Sequence, residues 1–116
     1  MKKILTSLSV LTLVLFAACA KKNTASKAAE MPTTYAGDVV PLIQAKCSPC
    51  HLPTQGGNKA NFETFESAKK YGSAMLDRIM LNPGDRGFMP FKHKEKLTAE
   101  EIAVVKKWVD TGLTEK

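Results

Sequence analysis

Cys47, Cys50 and His51 stand in the run C-S-P-C-H, two thiols three positions apart with an imidazole directly behind the second. One chemistry for this set is covalent haem attachment. Thiols about one helical turn apart can reach the two vinyl groups on one edge of a porphyrin and form thioethers. The next residue then turns its imidazole under the ring, and neutral imidazole is a good axial nitrogen donor to iron. A second chemistry is thiol–disulfide exchange, and a third is zinc binding.

The surroundings discriminate among these. An exchange centre has its first thiol acidified at a helix N-terminus. Here Cys47 falls at the end of an expected helix, with no βαβ pattern around it. A zinc site usually needs a second pair of ligands, and the only other histidine is His93. A bare Cys47–Cys50 disulfide closes a very small loop and adds little stability. The expectation is one covalent haem c, held by thioethers at Cys47 and Cys50 with His51 on the iron; a haem-free dithiol and zinc remain the alternatives.

An electron carrier needs a second axial ligand. A thioether opposite His raises the haem potential relative to a second His. Of the five methionines, Met1 lies in the leader, Met31 in a polar stretch, and Met75 and Met80 at helix-face positions that suit core packing. Met89 lies in an irregular loop before Pro90, 38 residues after His51. It is the expected sixth ligand, ahead of Met80 and then His93. His93 sits among lysines and reads first as a solvated surface residue.

These residues must be positioned by helices. Asp38 to Lys46 reads as a short helix capped by Asp38, with Pro41 in its first turn. Leu52 to Ala60 is loop, broken by Pro53 and Gly56-Gly57. Asn61 to Tyr71 is a helix capped by Asn61, with Phe62, Phe65 and Ala68 on one side. Gly72 interrupts it, and Ser73 to Leu81 forms another. Gly87 to Phe91 is an apolar loop whose Phe, Met and Phe must be buried. Thr98-Ala99-Glu100-Glu101 is a capping box opening a last helix with the stripe Ile102, Val105, Trp108 and Val109. Gly112 suits its end. No strand alternation and no repeat is present, so the fold class is all-α.

The chain has 116 residues and opens Met1-Lys2-Lys3 before an apolar run from Ile4 to Ala18. That is a secretory signal pattern, shorter than the roughly 20 residues a membrane span needs. The run ends L-F-A-A-C, similar to a bacterial lipobox in which Cys19 becomes the lipidated first residue, with Phe16 where Leu is more usual; the alternative is an ordinary signal peptide with Cys19 an incidental thiol. The expected organisation is therefore a signal peptide over 1–18, a lipidated N-terminus and flexible tether over 19–34, and one domain over 35–116. The tether is polar, and about 15 such residues reach roughly 20 Å. The protein is expected to be exported, on the periplasmic or cell-surface side, anchored to a bacterial membrane by lipid at Cys19. The formal charge is +6, or +4 without Lys2 and Lys3. No basic stripe with interleaved aromatics is present, so nucleic acid is not an expected partner.

The ordered set C-S-P-C-H, G-F-M-P-F and L-T-A-E-E-I-A-V-V-K-K-W-V-D-T-G resembles the small monohaem class I c-type cytochromes, over about Tyr35 to Leu113. It is most similar to the short cytochrome domains of bacterial lipoproteins. The resemblance implies a small helical domain wrapped around one haem, with Cys47 and Cys50 covalently bound, His51 proximal and Met89 distal. It also implies that the first and last helices cross, setting Val40 and Ile43 near Val105 and Trp108. Phe62, Phe65, Phe88, Phe91 and Trp108 are the expected apolar pocket. The implied function is carrying single electrons between redox protein partners, with no enzyme activity and no small-molecule substrate. The alternatives are a five-coordinate haem enzyme or sensor, and the haem-free dithiol protein.

Overall fold

Thr34 opens the first helical segment. Its hydroxyl accepts from the Gly37 N–H at 3.1 Å, and the Asp38 carboxylate accepts from the Thr34 N–H at 2.7 Å. This reciprocal cap is stretched by one residue because the first turn, Tyr35–Val39, is π-helical. The turn runs on into α1, Val40–Lys46. The helix thus begins three residues before the Asp38 cap expected from sequence. Thr34 is the capping residue, Asp38 is the carboxylate that reaches back, and the added turn buries Tyr35 and Val39. The structure, a computed structural model, describes residues 31–91 and 95–116. The expected signal segment, the expected lipidation site Cys19 and the expected tether as far as Glu30 lie outside the described residues.

Cys47 closes α1, its N–H donating to the Ile43 carbonyl at 2.8 Å. A 3-10 turn, Pro53–Gln55, follows and ends at Gly56 with φ 83°. Asn61 caps no helix. Its side-chain oxygen takes the Glu63 N–H at 2.7 Å in a local turn, and α2 begins later, over Phe65–Met80. Gly72 does not break α2 in two, contrary to the expectation from sequence. It faces α3 instead: a Cβ there would lie 2.7 Å from Leu113 Cδ2 and 3.2 Å from Trp108 Cζ3. The absent side chain lets two helices approach closely, which outweighs glycine's low helix propensity of about 1 kcal/mol.

The last helix, α3, spans Ala99–Asp110 and carries the expected capping box between Thr98 and Glu101. Its end is a Schellman motif. Leu113 N–H reaches the Trp108 carbonyl at 2.9 Å, and Gly112, at φ 98°, reaches Val109 at 3.3 Å. Val105 and Trp108 are buried, while Ile102 and Val109 are only partly so.

Trp108, Ile43, Val39 and Val105 are the largest fully buried side chains. Val40 packs against the same cluster, so the first and last helices share one core. The Tyr35 ring lies between Phe65 and Trp108, at centroid distances of 5.7 and 5.9 Å. Lys46 joins α1 to α3 through a 3.0 Å ion pair with Glu101. The two ends of the folded part are also tied. Tyr35 and Ala36 N–H groups donate to the Thr114 and Glu115 carbonyls at 2.9 and 3.0 Å. Thr114 Oγ1 donates to the carbonyl of buried Thr33 at 3.0 Å. Among the described residues every regular element is helical, and no helix is long and apolar enough to cross a membrane.

Candidate functional site

The end of α1 carries Cys47 to the rim of a cavity of about 550 Å³. Cys50 and His51, in the turn that follows, line it as well, and so does Met89 from the loop after α2. Met89 lies 38 residues after His51 in the sequence, yet it shares one cavity with the C-S-P-C-H residues. Met75 and Ile79 of α2, Phe62 and Leu97 complete an apolar wall. The volume lies within the roughly 300–1,000 Å³ of small-molecule and cofactor sites.

His51 is held on three sides. Its Nδ1 lies 2.7 Å from the Ala60 carbonyl. A carbonyl only accepts, so Nδ1 carries the proton and Nε2 keeps a free lone pair. This tied-back tautomer is the arrangement that orients histidines ligating metals. The ring stacks on Phe62 with centroids 4.2 Å apart and planes 3° from parallel. The backbone is fixed too: His51 N–H donates to the Cys47 carbonyl at 3.1 Å, and Phe62 N–H to the His51 carbonyl at 3.0 Å.

The loop from Leu52 to Phe62 therefore works as a strap that folds back over the C-S-P-C-H turn. Lys59 N–H donates to the Cys50 carbonyl at 3.1 Å. Gly57 lies so close that a Cβ would come within 2.3 Å of the Pro49 carbonyl oxygen and 2.6 Å of that of Cys50. No side chain fits there.

Cys47 and Cys50 are free thiols, both half-buried. Burial pushes the Cys47 thiol up to about 11, so it stays protonated at neutral pH. Among the described residues no three His, Cys, Asp or Glu side chains gather to hold a bare metal ion. The lining instead gathers two thiols, an imidazole tied back through Nδ1 and a thioether from a separate loop, donor types compatible with a covalently held haem.

Met89 is half-buried, and its N–H donates to the Arg78 carbonyl at 3.2 Å. The other candidate ligands fare differently. Met80 is 52 % exposed and does not line the cavity, so the core-packing expectation for it is corrected; its carbonyl accepts from Lys96 Nζ at 3.0 Å. Met75 is buried and does line the cavity. His93 lies outside the described residues.

The expected aromatic pocket is corrected in part. Phe62 and Phe91 line the cavity, whereas Phe65, Phe88 and Trp108 do not. Phe65 and Trp108 face Tyr35 in the helical core, and Phe88 is buried elsewhere. Phe91 is not buried with its loop; it is 76 % exposed at the lip. Sequence reasoning misses Tyr71, Met75, Arg78 and Ile79, which line the cavity from α2. Their helical spacing is the signal, hidden when the helix is divided at Gly72. Ala60 acts through its carbonyl, and nothing in its side chain marks it. A second cavity, of about 410 Å³ between Tyr35, Gln44 and Glu63, shares only Phe62 with this one and is lined by neither thiol nor His51. Comparisons of the chain with protein-family models, with characterised proteins and with solved structures return no match.

Proposed function

We propose that this protein is a monohaem c-type electron carrier, exported and tethered to a bacterial membrane by lipid at Cys19. The observation that carries the reading is that Cys47, Cys50, His51 and Met89 line one apolar cavity. Haem, when bound, supplies an iron that takes up and gives back one electron. The chain's own residues supply the rest. Cys47 and Cys50 hold the group through thioethers, and His51 offers Nε2 because Ala60 occupies the Nδ1 proton. Met89 offers its sulfur from a separate loop. The apolar wall of Phe62, Met75, Ile79 and Leu97 limits water around the group, which tunes the potential. The partners of such a carrier are redox proteins, and Phe91, exposed where it lines the cavity, is an apolar residue such a partner would meet.

The haem-free dithiol reading has less support. An exchange thiol works as a thiolate. Burial holds Cys47 in the protonated form, and its position at the end of α1 gives it no helix N-terminus. A five-coordinate haem enzyme would need an open iron, whereas Met89 lines the same cavity as His51.

The test is a visible spectrum, oxidised and then reduced, of protein made in cells able to attach haem. Sharp reduced bands that stay with the chain after denaturation support the reading. A colourless protein, with attachment working on a control, overturns it.

A further inference from the structure

Arg78 grips the loop that carries Met89 from two directions. Its main-chain carbonyl accepts from the Met89 N–H at 3.2 Å. Its guanidinium Nη1 donates to the Gly87 carbonyl at 3.2 Å. One residue of α2 thus holds the loop on either side of Phe88, whose side chain is buried. Gly87 leaves room for this grip: it sits at φ 95°, and a Cβ there would lie 2.9 Å from Arg78 Nη1. Arg78 itself lines the cavity, next to Met75 and Ile79 on the same helix.

We infer that Arg78 is a positioning residue for Met89, resting on the reading of Met89 as the sixth ligand. A thioether is a weak ligand on a flexible side chain, and it stays on iron only if its backbone is held. The main-chain bond from Arg78 survives any substitution there. The guanidinium bond does not, so its removal frees the Gly87 end of the loop while leaving α2 and the Met89 side chain intact. The loop then opens more often, and the sixth position with it. Arg78 is exposed, so its loss leaves the core untouched.

The test is carbon monoxide binding to the reduced, haem-loaded protein, read by visible spectrum, beside a urea unfolding curve. The wild type is expected to resist carbon monoxide and Met89→Ala to take it readily. Arg78→Ala is expected to bind it about three- to tenfold faster than wild type, the effect of losing one ordinary, solvent-exposed hydrogen bond. Gly87→Ala attacks the same contact from the loop side. In the double variant the two effects should therefore add to less than their sum. If Met89→Ala opens the iron but Arg78→Ala stays within twofold of wild type, the Arg78 assignment is wrong and Met89 stands. A loss of stability in Arg78→Ala with no change in carbon monoxide binding also overturns the assignment, because Arg78 then acts on the fold alone. If Met89→Ala behaves as wild type, Met89 is not the ligand and both fall.

Discussion

The imidazole of His51 lies flat on the ring of Phe62, centroids 4.2 Å apart and planes 3° from parallel. Phe62 also donates its N–H to the His51 carbonyl and accepts the Tyr35 hydroxyl at 2.7 Å through its own. One residue therefore orients the histidine and ties it to the helical core. Replacing Phe62 with Ala is expected to cost about 3 kcal/mol, as for other buried Phe→Ala changes. Urea unfolding would measure the loss. On the proposed haem-carrier reading, haem retention by the folded variant should fall as well, because the imidazole loses its flat support.

The neighbouring glycines Gly56 and Gly57 are needed for different reasons. Gly56 has φ 83° and open space around it, so Gly56→Ala meets only backbone strain, about 1–2 kcal/mol. Gly57→Ala drives a Cβ into the Pro49 and Cys50 backbone. The expected loss is greater than for Gly56→Ala, about 3 kcal/mol at the upper end of overpacking costs. Parallel unfolding curves check the order, and an equal loss in both would rule out the close approach as the cause.

Gly72→Ala sets propensity against packing. Alanine gains about 1 kcal/mol in a helix interior. Its Cβ would meet Leu113 Cδ2 at 2.7 Å and the Trp108 ring at 3.2 Å. Leu113 is held at φ 57° by the Schellman motif and Trp108 is fully buried, so neither yields freely. Net destabilisation of about 1 kcal/mol is expected. Adding Leu113→Ala should cost less in that background than alone, which a double-mutant cycle would read.

Cys47 predicts an alkaline limit for the protein with its thiols free. Its thiol is raised by burial to about 11 in the folded state, against about 8.5 for a free cysteine. The folded state thus keeps its proton after the unfolded chain has lost it. Stability from this group is complete below about pH 8.5 and is lost as pH rises toward 11. Unfolding midpoints should fall across that window in the wild type and less in Cys47→Ser. Alkylation of Cys47 at pH 8 should be slower in the folded protein than in urea.

Thr98→Ala removes one half of the capping box on α3 and is expected to cost about 1 kcal/mol. Its partner adds a pH dependence. The Thr98 N–H, and then Lys46, hold the Glu101 carboxyl below its ordinary value. That contribution is present above the usual glutamate range and is lost as pH falls through the lowered value. Acid unfolding of Glu101→Gln should show a shallower slope there.

Where local chemistry decides, the sequence was readable. Thr98 and Glu101 announce their cap, Gly112 its turn, and C-S-P-C-H with Met89 the residues that share a cavity. Where a distant contact decides, it was not. Gly72 reads as a break because glycine is a poor helix former, and only Trp108 and Leu113 explain why it continues one. Asp38 reads as a cap because Thr34 lies in a polar stretch, and only the burial of Tyr35 and Val39 draws the helix back to it. Ala60 acts through a carbonyl that every residue has. The exposure of Phe91, on its loop, and of Met80, at the last position of α2, is likewise set by where the backbone places them and not by their hydrophobicity.

The pairing of Thr33, Tyr35 and Ala36 with Thr114 and Glu115 has a consequence for synthesis. The first residues of the fold find their partners some 80 positions later, so the domain cannot close until Thr114 and Glu115 have left the ribosome, whatever order the helices form in. Because entry and exit lie side by side, joining them by a short linker and opening the chain at the exposed Asn82–Pro83–Gly84 turn should yield a rearranged sequence with the same fold.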